Sequence, residues 1–204
     1  MESINQAIMY FHKGGLVMWP LLLCSFLVIA IGVERFLYYK AADSGSKFAD
    51  NYCALLATGT IADATKLAGA TSGALAKVLT EAAELGTNEE ISSYAEMKSG
   101  IIIAKLRDKL SYLSVVVTLS PLLGLLGTIV GMIGAFSIFN LQAGAPMAIT
   151  GGIGEALIAT ATGLCVAIVA LCIHSYFAHR MDNIITGMEQ CFSALLEART
   201  RSDH

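Results

Sequence analysis

Between Leu110 and His179 the chain carries one formal charge, Glu155. Residues 110–154 contain no Asp, Glu, Lys or Arg, and neither do residues 156–179. A helix crosses the hydrocarbon core of a bilayer with about 20 apolar residues. This stretch therefore holds two spans with a short break between them. The break falls at NLQAGAP, 140–146, where polar, Gly and Pro residues cluster. A third uncharged run covers residues 14–33. The expected spans are 16–38, 113–139 and 148–177, in an all-α membrane protein with three transmembrane helices.

Composition agrees. Hydrophobic residues make up 55% of the chain, charged ones 14%, and the mean hydropathy is +0.66. That is too apolar for an ordinary soluble domain. A net charge of −3 argues against a nucleic-acid partner, which calls for a basic patch. The cysteines (Cys24, Cys53, Cys165, Cys172 and Cys191) fit no metal-ligand spacing and read as small buried hydrophobes. The first apolar run exceeds a signal-peptide core and is followed by Glu34-Arg35, so it reads as a retained helix. Lys13 is the only basic residue in 1–15, and 140–147 has none. The remaining Lys and Arg lie in 34–112 or 178–204, which puts both regions in the cytoplasm and the N-terminus outside.

Residues 1–15 read as an amphipathic segment lying on the outer membrane face. Trp19 and the pair Tyr38-Tyr39 fall where aromatic anchors sit at the two interfaces. The cytoplasmic region 39–112 is helical in composition, with Gly-bearing breaks that predict short helices over 45–57, 61–68 and 73–85. Thr87 and Glu90 fit a capping box. No breaker follows before Pro121, which predicts one helix over 88–139, roughly 75 Å long against a ~30 Å hydrocarbon core. The third span likewise continues into a C-terminal cytoplasmic helix, 178–204, interrupted only by Gly187. Two of the three transmembrane helices thus extend far into the cytoplasm. There is no internal repeat, phosphate loop or nucleophile–base pair, and no enzymatic activity is expected.

Gly124, Gly127, Thr128, Gly131 and Ala135 recur at helical spacing and form one small face. Small faces let helices approach closely in lipid, and Gly134 and Gly163 are expected to serve the same packing. The Thr128 hydroxyl suits either a polar path or a bond back to its own helix. In the third span Glu155, Ala159 and Thr162 share a face, while Thr160 lies about 140° from Glu155. One direction suits a central cavity and the other a neighbouring helix. A carboxylate in a span costs roughly 2.5 kcal/mol or more and usually faces a bundle interior or a water-filled path. An ion path through Glu155 is the leading reading, and a structural carboxyl is the bland one. His174 and His179 read as interfacial, and Glu34-Arg35 as a solvated pair.

PLLGLLGTIVG (121–131) and GEALIATATGL (154–164) resemble the signature segments of the MotA/TolQ/ExbB family, and its ExbB branch in particular. KGGLVMWPLLLC (13–24), followed by Glu34-Arg35, is also similar to ExbB-type chains. The resemblance implies a homopentamer around an apolar pore in the bacterial inner membrane, with residues 1–15 and 140–147 periplasmic. It implies an ExbD/TolR/MotB-type partner, a dimer of single-span chains with one transmembrane Asp each. Protons are the driving ion, with no cofactor, and their flow turns the inner dimer. The work goes to a TonB-like protein and outer-membrane transport in the ExbB branch, and to envelope integrity in the TolQ branch. In the MotA branch it goes to the flagellar rotor. By motif, Thr128 and Thr160 match the family's pore threonines and Glu155 its transmembrane Glu. Three spans and a short cytoplasmic part depart from the MotA branch. The expected function is the ExbB-type energiser; a TolQ-like energiser is the alternative, and a passive membrane scaffold the alternative of a different class.

Overall fold

The computed structural model describes residues 11, 14–45, 47–141 and 146–202. Most of the expected amphipathic segment and the centre of the 140–147 loop lie outside these residues. Among the described residues there are seven helices and no strand: α1 (Met18–Ala42), α2 (Phe48–Thr58), α3 (Ile61–Ala70), α4 (Ala74–Ala83), α5 (Asn88–Arg107), α6 (Leu110–Leu141) and α7 (Pro146–Ser202). Three helical stretches, Met18–Ala42, Asn88–Ser137 and Gly151–Ser202, are long and apolar enough to cross a membrane.

The chain divides into two compact units. The first comprises Met1–Gly32 and Ser111–Ser175. Its core is thin. Cys24 and Val28 of α1 meet Leu113 and Val116 of α6 and Ala170 of α7. Val17, Met18 and Leu21 form a second cluster with Phe11 and Leu123. Phe26, Leu122, Ile133, Leu157 and Ile168 instead point outward. Helices apolar on every side suit a surrounding of lipid or further protein. Pro146 opens α7 at the position where a missing N–H costs nothing. Pro121 sits inside α6 and withdraws one N–H from its ladder.

The second unit comprises Val33–Leu110 and Tyr176–His204. Tyr52, Leu56, Leu75, Leu79, Ile91, Met188, Cys191 and Leu195 make its core. Local signals set its helix starts. Thr60 accepts from the Asp63 N–H, and Thr87 and Glu90 form the expected capping box. The α4 N-terminus is capped from a distance: the Ala76 N–H donates to the Ser44 hydroxyl at 3.2 Å. Gly73, at φ +132°, has no side chain because Ser44 occupies that space. Near the end of α7, Arg199 donates to the Gly86 carbonyl and Arg201 to the Leu56 carbonyl.

The expected continuous helix over 88–139 is broken. It stops at Arg107 and restarts at Leu110, with Lys109 at φ 62°. Arg35 is the physical reason. Its Nη1 donates to the carbonyls of Lys105 at 2.9 Å and Asp108 at 3.0 Å. The Tyr39 hydroxyl donates to the Leu106 carbonyl at 3.0 Å. Side chains from α1 thus take over carbonyls at the end of α5. Glu34 holds Arg35 through two 2.7 Å bonds and reaches Lys109 at 3.3 Å. Arg35 is 3% exposed, so Glu34-Arg35 is not the solvated pair expected from its position. Tyr39 is buried too, and packs on Phe177 rather than standing as an interfacial anchor. Cys165 and Cys172 are exposed on α7, whereas Cys24 and Cys191 are buried as expected.

Candidate functional site

Within the first unit, α6 and α7 run antiparallel with almost nothing between their backbones. A methyl group at Gly127 would lie 2.5 Å from the Ala159 Cβ, and one at Gly152 would lie 2.5 Å from the Ala135 Cβ. At Gly131 it would lie 3.0 Å from the Ala156 Cβ. At Gly163 it would meet the Ser120 carbonyl at 2.5 Å. Small residues on both helices allow this approach. Gly134, expected in the same role, has no neighbour within 4 Å of its would-be side chain and instead lines a cavity.

Thr160 fastens the seam. Its hydroxyl donates to the Gly124 carbonyl at 2.8 Å, across 36 residues of chain. A methyl group at Gly124 would stand 3.0 Å from the Thr160 Cα, so the bond depends on this glycine. Thr128 and Thr162 bond back into their own helices, to the carbonyls of Leu125 at 2.6 Å and Ile158 at 2.8 Å.

Glu155 faces away from that bond, as its 140° separation from Thr160 requires. It lines a cavity of about 320 Å³ together with Gly14, Gly15, Gly127, Gly131, Gly134 and Gly152. Val17, Val130 and Ala135 complete much of the wall, and among the described residues Glu155 is the one titratable group in the lining. A carboxyl in such a place has room beside it for water or an incoming group. The site brings together Glu155 and the seam glycines, but not Glu155 and Thr160.

Two contributors escaped the sequence reading. Gly15 has φ +71°, and a side chain there would collide with the Glu155 carboxylate. Its signal was the Gly14-Gly15 pair directly before the first span. Ser120 is fully buried beside Gly163, where it reads locally as an ordinary polar residue before proline.

The helical architecture and the glycine seam define an integral membrane protein whose helices pack closely beside a single carboxyl. The model of the MotA/TolQ/ExbB proton channel family matches residues 62–190, which include both sides of the seam and Glu155. The chain belongs to this family. It is similar to an ExbB-like biopolymer transport protein of Synechocystis sp., at 31% identity over 80% of this chain and 81% of the relative. Biopolymer transport protein exbB1 of Vibrio cholerae is 30% identical over 84% of this chain and 77% of the relative. The Tol-Pal system protein TolQ of Pseudomonas aeruginosa is 38% identical over 40% of this chain and 36% of the relative.

Proposed function

We propose that this chain is the ring-forming subunit of a proton-driven energiser in the bacterial inner membrane, with Glu155 as its proton-handling carboxyl. The observation that carries this reading is Glu155 itself, the lone acid of an otherwise uncharged stretch, standing in a glycine-lined cavity. Protons are the driving ion, and no cofactor takes part. Several copies, five by the family resemblance, surround a pore that holds a dimer of ExbD/TolR-type single-span partners. Each partner supplies the second acid of the path, a transmembrane Asp, because Glu155 is the one carboxyl this chain has between residues 110 and 179. Thr128, Thr160 and Thr162 are the polar groups along the way. The basic-residue asymmetry supports a periplasmic N-terminus and a cytoplasmic C-terminus.

The client is a TonB-like protein serving outer-membrane transport. The similarity to both ExbB-named and TolQ-named relatives keeps a Tol-type client as the second reading. Co-expression with a single-span protein carrying one membrane Asp, gentle solubilisation and native mass spectrometry test the assembly. A ring of several copies holding two partner chains supports the proposal. A stable monomer or dimer that takes up no such partner contradicts it and favours a passive scaffold.

A further inference from the structure

Cys53 and Cys191 meet inside the second unit, outside the site described above. Cys53 lies on α2 and is partly exposed, while Cys191 lies on α7 and is buried. Both belong to the same apolar core. The two helices touch through a glycine: a methyl group at Gly187 would lie 3.4 Å from the Ala49 Cβ. The Cys191 thiol reaches the Ala49 carbonyl at 4.0 Å. Further along, Arg201 of α7 donates to the Leu56 carbonyl of α2, so the helices advance in the same direction. Cys53 and Cys191 each lie four residues, about one turn, beyond the Ala49–Gly187 contact. Cys53 stands close enough to Cys191 to act on its thiol. A disulfide needs Cα atoms within about 7 Å, a spacing that helices touching through a glycine can provide.

We propose that Cys53 and Cys191 form a redox-responsive pair in which Cys53 is the site of oxidation by hydrogen peroxide and Cys191 the resolving thiol. The Cys53 sulfur attacks the peroxide oxygen, giving a sulfenic acid and releasing water. The Cys191 sulfur then attacks the Cys53 sulfur, the S–OH bond breaks, a second water leaves and the disulfide forms. The peroxide is the oxidant and the two thiols together supply both electrons. Burial pushes the Cys191 thiol well above its ordinary titration range, and Cys53 beside it acts in the same direction. Cys53, the partly exposed thiol of the two, is therefore the one that meets the oxidant first. The bond would tie the start of the cytoplasmic helices to the long C-terminal helix, and a thiol reductant would release it.

The test is peroxide treatment of the full-length protein in membranes, alkylation under denaturing conditions and peptide mass spectrometry. The expected product is a peptide pair joined through Cys53 and Cys191 within one chain, lost on reduction. With Cys191→Ala, Cys53 should become reactive to dimedone and remain unlinked. With Cys53→Ser, Cys191 should stay fully alkylatable, which keeps the test valid if the buried substitution impairs folding. Full alkylation of both thiols in the treated native chain would overturn the proposal. So would linkage of Cys53 only to another chain.

Discussion

The hydroxyl of Thr160 donates to the backbone carbonyl of Gly124 at 2.8 Å, joining the two helices that carry the family's signature segments. Interhelical bonds of this kind contribute about 0.6 kcal/mol on average and at most about 1.7 kcal/mol in a membrane. Thr160→Val should lower the stability of the detergent-solubilised protein by that amount, read as a fall in Tm. Thr160→Ser, which keeps the donor, should lie close to the native protein. Loss of proton flux in Thr160→Val beyond what its fall in Tm explains would show that the hydroxyl serves the ion path as well as the seam.

Gly127 and Gly134 offer a paired contrast on the same helix. A methyl group at Gly127 would lie 2.5 Å from the Ala159 Cβ, whereas Gly134 has nothing within 4 Å. Gly127→Ala should destabilise by about 1–3 kcal/mol, the usual range for overpacking. Gly134→Ala should be nearly neutral in the same melting experiment.

Arg35→Lys should not rescue the function of Arg35 at the helix break. The guanidinium bonds two carbonyls and both Glu34 oxygens at once, a fork that a lysine ammonium cannot reproduce. Losing such charge-assisted bonds costs about 1.5–3 kcal/mol. Hydrogen exchange should show the amides around residues 105–112 opening faster in Arg35→Lys and Arg35→Met alike.

Glu81 and Tyr94 make stability depend on pH at both extremes. The Tyr94 hydrogen bond, helped by Lys98, holds the Glu81 carboxyl below its ordinary value of 4.5. That contribution is present above pH 4.5 and is lost as pH falls through the lowered value. Burial, with Glu81 beside it, pushes the Tyr94 hydroxyl up from 10.0 to about 12. Its contribution is complete below pH 10.0 and is lost as pH rises through about 12. Tyr94→Phe should flatten both limbs of a Tm-against-pH curve.

The spans could be read from the sequence because uncharged runs long enough to cross lipid have few other uses. The capping box at Thr87 and Glu90 could be read because both partners lie within one turn. Gly124, Gly127 and Gly131 showed their role through helical spacing alone. The break at Asp108–Lys109 could not be read, since no Gly or Pro marks it. It is made by Arg35, about 70 residues away, and local pattern gives no hint that this arginine is buried. The partition of Glu155 and Thr160 onto different surroundings follows from the helical wheel. The contact of Gly15 with Glu155 depends on a chain reversal that no local rule specifies.

Proton flux through the Glu155→Gln variant tests the central claim most directly. The variant and the native chain would each be reconstituted into liposomes with the single-span partner, and acidification followed under an imposed potential. The account predicts rings of unchanged stoichiometry whose flux falls about a hundredfold, the scale of losing a proton-transfer group. A variant that assembles normally and conducts at the native rate would contradict it.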